Sequence, residues 1–307
     1  MNVMKNIFFA QNFKSYRTML AIFFSWIFLT TTAEAQQQNN NLPPATIDGA
    51  TTRIYKTIGE TKLSLHIFQP AKHKATDKTP AIVFFFGGAW TNGTPTQFVE
   101  QCKYLAERGM VAITVEYRVK SRHNVTPIEC VMDAKSALRW VRSHAKELGI
   151  DPNRIAAGGG SAGGHLAAAT AIVNGSDEKG EDTKVSAKPN ALVLFNPALD
   201  LISLKLTMQM GEAVRAISPQ QNIKGKLPPT IIFHGTADMT VPFAQATAYC
   251  ATMKEQGNRC EIVPAEERNH GFFNYGRGDG QDFKTTLRAA DVFLTSLGYL
   301  RGEPTLK

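Results

Sequence analysis

From residue 50 onward, short apolar runs alternate with longer stretches whose apolar positions recur every three or four residues. Ala81–Phe86 (AIVFFF), Val111–Val115, Ala191–Phe195 and Thr230–Phe233 are nearly unbroken apolar runs, as expected of strands buried on both faces. Arg53–Thr57, Lys62–Phe68, Arg154–Ala157 and Cys260–Val263 read as further strands, the second with the alternation of a half-buried one. Between them the pattern predicts helices over Gln97–Arg108, Pro127–Leu148, Ala162–Val173, Phe243–Gln256 and Lys284–Leu297. Pro127 suits a first helical turn, and Gly109 and Gly149 stand where helices stop. Strand–helix alternation with buried strands predicts a doubly wound, mostly parallel α/β sheet with helices on both faces. Only Leu199–Leu227 has no place in the alternation; it reads as a small cap insertion or a loop on the strand ends.

Composition changes this picture little. With 307 residues, 43% of them hydrophobic and 20% charged, the chain has a globular balance and can bury a core without metals or disulfides. The net charge of +8 is scattered, with no basic run longer than two residues, so nucleic-acid binding is not indicated.

The N-terminus adds more. Lys5, Lys14 and Arg17 precede the apolar stretch Leu20–Leu29, and TTTAEA follows it, ending in Ala33-Glu34-Ala35. A basic region, a short apolar core and an A-x-A site make residues 1–35 a secretory signal peptide. The apolar stretch is shorter than the ~20 residues of a membrane span. A flexible leader (36–50) and one catalytic domain (51–307) follow, and the expected destination is secreted or periplasmic. Export permits disulfides. Cys250 and Cys260, separated by a Gly257-Asn258 turn, are a plausible local pair; Cys102–Cys130 is the weaker alternative.

The candidate chemistry begins at Gly158-Gly159-Gly160-Ser161-Ala162-Gly163-Gly164. Gly159-x-Ser161-x-Gly163, between strand and helix, fits a nucleophile elbow, whose tight turn excludes neighbouring side chains and lifts the serine hydroxyl clear of the sheet. The same residues contain a dinucleotide fingerprint, Gly158-x-Gly160-x-x-Gly163. It falls in mid-sheet, however, and Asp177-Glu178 sit in a polar loop rather than at the end of the next strand. A plain glycine-rich helix entry is the blandest reading.

A serine needs a base to take its proton and an acid to orient the base. Asp238 follows the strand Thr230–Phe233 at the carboxyl edge of the sheet, and His270 lies in a polar loop after the last strand. The order Ser161, Asp238, His270 is the one this elbow requires. His165, one helical turn after Ser161, should project into packing, and His234 should be a hydrogen-bonded structural residue. Asp200, Glu266 and Glu267 read as loop-capping or solvated carboxylates. Oxyanion donors are expected at the backbone N–H of Ala162 and, in the loop Phe86-Gly87-Gly88-Ala89-Trp90, at Gly88 and Ala89.

With these residues in view, the sequence resembles α/β-hydrolase-fold esterases. It is similar to hormone-sensitive-lipase-like carboxylesterases and to secreted bacterial esterases that deacylate polysaccharides. The matching stretches run from VFFFGGAW through DAKSALRWVRSHAKELGIDPNRIAAGGGSAGGHLAA and LPPTIIFHGTADMTVPF to NHGFFN, roughly residues 80–275. The resemblance implies an ester substrate, acetyl or feruloyl groups on a polysaccharide, with no cofactor or metal. Within the matching stretches Arg118, Asp133 and Trp140 read as packing and ion-pair residues. The family's His-Gly-Gly-Gly is Phe86-Gly87-Gly88-Ala89 here, which removes a histidine that braces the oxyanion loop. Too few residues precede the first strand for a helical cap, so an open site is expected. The other readings are a general short-chain carboxylesterase, a prolyl-oligopeptidase-like peptidase without its propeller, and a non-catalytic hydrolase-fold binding protein.

Overall fold

The computed structural model describes residues 42–205 and 210–306. The expected signal peptide, the leader up to residue 41 and four residues of the Leu199–Leu227 segment lie outside them. Residues Pro43–Lys307 form one compact unit. Among the described residues no helix is long and apolar enough to cross a membrane.

Eight strands make one sheet: β1 (Thr51–Ile58), β2 (Thr61–Phe68), β3 (Thr79–Phe85), β4 (Val111–Val115), β5 (Ile150–Gly160), β6 (Ala191–Phe195), β7 (Thr230–Gly235) and β8 (Cys260–Ala265). Their order is β1-β2-β4-β3-β5-β6-β7-β8. β1 and β2 are antiparallel to their neighbours, and the other strands run parallel. Among the described residues, five helices of nine residues or more cover the sheet: α1 (Val99–Glu107), α2 (Pro127–Ser143), α3 (Ala162–Ile172), α4 (Phe243–Glu255) and α5 (Gln281–Ser296).

Residue alternation divides the core between the two faces. Along β3, Ala81, Val83 and Phe85 join the layer that holds α2, α3 and α4, whereas Ile82 and Phe84 join the layer of α1 and α5. The chain leaves β3 for β4 through α1 on one face and leaves β5 for β6 through α3 on the other. The carboxyl ends of β3 and β5 therefore flank a topological switch point, where open α/β sheets form their crevice.

Several boundaries differ from the sequence reading. β5 runs through its glycines to Gly160, because the missing side chains admit the neighbouring elements. A Cβ on Gly158 would lie 2.6 Å from the Phe84 ring, and one on Gly160 2.6 Å from that of Phe273. α2 ends at Ser143 and not Leu148, where the Ser143 hydroxyl donates to the Trp140 carbonyl at 3.0 Å. A 3-10 turn, Pro95–Phe98, precedes α1. Leu199–Leu227 adds no strand in its described part, which holds a short helix, Ala213–Ile217, that meets α2, and a 3-10 turn, Pro219–Asn222, packed against α3.

Cys250 and Cys260 form a disulfide between α4 and β8. Cys102 and Cys130 are free and buried in opposite core layers, which rules out the alternative pairing.

Candidate active site

Ser161 stands between β5 and α3 at φ 53° and ψ −117°, a left-handed conformation that a side-chain-bearing residue adopts only under constraint. The constraint is visible. The Ser161 amide donates to the Phe195 carbonyl at 2.9 Å, and its own carbonyl accepts from Ala198 N–H at 3.3 Å. A Cβ on Gly163 would lie 2.0 Å from the Phe85 carbonyl oxygen, so the helix can approach β3 this closely only as glycine. Ala162 opens α3, and a first helical amide has no acceptor within the helix.

Asp238 and His270 meet across two loops: His270 Nδ1 lies 2.7 Å from Asp238 Oδ2. The other carboxylate oxygen accepts from Thr240 and Val241 N–H, each at 2.9 Å. His234 Nε2 donates to the Val241 carbonyl at 2.8 Å and stands 3.3 Å from Asp238 Oδ2. Burial pushes the Asp238 carboxyl upward, but the hydrogen bonds from His234, His270 and Val241 outweigh it and hold the group far below the usual carboxylate range. Asp238 is thus a charged anchor for the imidazole. His270 reaches the end of β6 as well, where Asn196 Nδ2 lies 3.4 Å from its Nε2. Since Asn196 follows Phe195, whose carbonyl holds Ser161, the serine and the histidine loop share one anchoring strand end.

The loop after β3 presents Gly88 and Ala89, both exposed, with φ of 125° and 53°. Among the described residues their amides make no hydrogen bond, whereas Gly87 N–H donates to Gln97 Oε1 at 2.6 Å. The loop is braced despite its missing histidine. Phe86 stacks on Tyr117 with ring centroids 4.1 Å apart, and the Tyr117 hydroxyl donates to the Phe86 carbonyl at 2.7 Å. Trp90 Nε1 donates to His165 Nδ1 at 3.1 Å, and His165 Nε2 bonds the Ile217 carbonyl at 2.8 Å.

The remaining candidates have other partners. Asp200 accepts from the amides of Ile202 and Ser203 as a loop cap. Glu266 accepts from Thr236 at 3.2 Å, and Glu267 is exposed. Arg118 and Asp133 are an ion pair at 2.8 Å. Trp140 stacks on His144. Sequence reasoning passed over Gln97, Asn196 and Asn274, side-chain amides that no motif marks.

The BD-FAE family model matches residues 65–253. A Thermogutta terrifontis esterase 2 structure, phosphoramylated by tabun, is 50% identical with a TM-score of 0.82, covering 85% of this chain and 99% of that one. A propionate-bound structure of the same esterase is 50% identical with a TM-score of 0.80, covering 83% and 97%. A probable isoprenylcysteine alpha-carbonyl methylesterase of Arabidopsis thaliana is 28% identical over 64% of this chain and 46% of its own length. The chain spans about half the length of several curated relatives it matches. Matched over more than half its length, and sharing the fold of solved esterases across nearly their whole chains, the chain belongs to the BD-FAE family within the α/β-hydrolase carboxylesterases.

Proposed function

We propose that this protein is an exported serine carboxylic-ester hydrolase that removes acyl groups through an acyl-enzyme, with Ser161, His270 and Asp238 as its triad. The carrying observation is the Asp238–His270 bond at 2.7 Å on the same sheet edge as the strained Ser161 elbow. Ser161 Oγ attacks the ester carbonyl while its proton passes to His270 Nε2. Asp238 stays ionised and stabilises the imidazolium. The tetrahedral oxyanion is received by the amides of Gly88, Ala89 and Ala162 at the positive end of α3. Collapse returns the proton from His270 to the leaving alcohol, and water repeats the attack on the acyl-serine.

Acetyl or feruloyl groups on a polysaccharide are the proposed substrates. Support comes from Met239, next in sequence to Asp238 and 90% accessible, which leaves the surface beside the acid open. The disulfide and the N-terminal pattern support export. A second reading, a general short-chain carboxylesterase, is favoured by the propionate- and butyrate-bound forms of the Thermogutta esterase.

The test is acetate release from acetylated xylan beside hydrolysis of p-nitrophenyl acetate and butyrate, for the wild type and Ser161→Ala. Activity on both substrate classes, abolished by the substitution and by paraoxon, is the expected outcome. Activity on the small esters alone selects the second reading. Activity that survives Ser161→Ala removes the serine mechanism.

A further inference from the structure

Five hydrogen bonds, joined at Gly271 through its α-carbon, link the oxyanion loop to His270. Gly87 N–H donates to Gln97 Oε1 at 2.6 Å, and Gln97 Nε2 donates to Asn274 Oδ1 at 2.8 Å. Asn274 Nδ2 donates to the Gly271 carbonyl at 2.8 Å, and Gly271 N–H donates to Asn196 Oδ1 at 3.1 Å. Asn196 Nδ2 closes the path at His270 Nε2, 3.4 Å away.

The direction of this path is forced. A backbone N–H can only donate, so Gln97 must accept at Gly87 with its oxygen and turn its NH2 toward Asn274. Asn274 must then accept, and its NH2 meets a carbonyl that can only accept. On the other side of the Gly271 α-carbon, Gly271 N–H fixes the Asn196 oxygen and turns the Asn196 NH2 toward His270. No amide in the path can flip without placing donor against donor or acceptor against acceptor. His270 Nε2 therefore receives a donor while Asp238 receives the proton on Nδ1. Both contacts select the neutral Nδ1–H tautomer, the only one whose Nε2 lone pair can take a proton from serine.

We infer that Gln97, Asn274 and Asn196 are positioning residues, a one-way amide chain that fixes the oxyanion loop relative to His270 and holds that imidazole as a proton acceptor. The assignment of His270 as base rests on the proposed function above; the tautomer does not. Among the described residues, the titratable or charged groups around this imidazole are few. Asp238 bonds Nδ1, and His234 meets Asp238 from behind. Arg268, two residues earlier, turns away to Asp282 at 2.7 Å.

Two measurements test the inference. Gln97 and Asn274 are half-buried and can be replaced without opening the core. In Gln97→Leu and Asn274→Leu, kcat for p-nitrophenyl butyrate should fall about tenfold with KM little changed, and the double variant should be no worse than either single. Losses that multiply in the double variant, or that fall on KM, overturn the chain.

The second measurement needs no turnover: nitrogen-15 spectra of the imidazoles across pH, for the wild type, Asn196→Ala and the isosteric Asn196→Asp. Removing the donor should populate the Nε2–H tautomer of the neutral His270 ring, and Asp in its place should populate it further. An unmoved tautomer balance overturns the role of Asn196. A wild type inactive on every ester would remove the proposed function and leave this second test standing.

Discussion

His165 shows how one residue can be half legible. Its place one turn after Ser161 predicts a side chain packed along the helix, and the structure buries it completely. What the sequence could not display is that both ring nitrogens are taken, one by the Trp90 indole and one by the Ile217 carbonyl. Burial pushes its pKa down to about 4, against the opposing pull of the Ile217 carbonyl. Between the unfolded value near 6.5 and about 4, the unfolded chain binds the extra proton, so stability falls as pH drops through that window. The full loss is roughly 3 kcal/mol, reached once the folded state also protonates. Urea midpoints at pH 7 and pH 4.5 should therefore fall more steeply with acid for the wild type than for His165→Gln; equal slopes would remove this role. The Ser161 elbow and the meeting of Asp238 with His270 were readable because glycine spacing and chain order constrain them. Gln97, Asn196 and Asn274 were not, because an amide's partner is set by which loops meet in space.

Elements were legible where burial and period agree, and least so where glycine decides. The pattern locates each strand and each long helix within a few residues. It misses the carboxyl end of β5, because a glycine run has no apolar signature yet is pinned between Phe84, Phe273 and α3. This makes Gly163 a sharp test. A Cβ there would strike the carbonyl oxygens of Phe85 and Phe86, at 2.0 and 2.4 Å, and push α3 off β3. Gly163→Ala should cost about 3 kcal/mol or more and lower kcat/KM at least a hundredfold, as misplacing the elbow by an ångström would. Gly180→Ala, with open space around its Cβ and a φ of 87°, should cost only about 1 kcal/mol and leave kcat/KM intact. Thermal melts and initial rates of both variants check the contrast. The disulfide acts at the same scale, joining α4 to β8 across ten residues. Loop-closure entropy for such a span is about 3 kcal/mol, so Cys250→Ala/Cys260→Ala should lower unfolding free energy by up to that amount.

At the scale of the molecule, strand order is the feature no periodicity displays. Alternation specifies a parallel sheet, but the antiparallel β1–β2 hairpin beyond β4 must be fastened to it by other means. A buried charge cluster supplies one. Lys56 of β1 reaches Asp133 of α2 at 2.7 Å and Glu178 at 2.8 Å. Arg118, just after β4, grips both oxygens of Asp133 at 2.8 Å and donates to Glu178 at 3.0 Å. The Asp133 side chain is fully buried between the two cations, while Glu178 remains a quarter exposed. Pairing buried charges gains little over an apolar core, but removing one partner strands the others. Asp133→Ala leaves Lys56 and Arg118 with only the partly solvated Glu178, and should cost about 3 to 5 kcal/mol. Glu178→Gln should cost much less, since water can replace its contacts. Because the cluster fastens the edge hairpin and not the Ser161 edge, the surviving folded fraction of Asp133→Ala should keep wild-type kcat/KM per active molecule. Urea unfolding together with active-site titration by paraoxon separates the two effects. A stability loss no larger than that of Glu178→Gln would mean that the β2–β4 ladder and apolar packing hold the hairpin without the cluster.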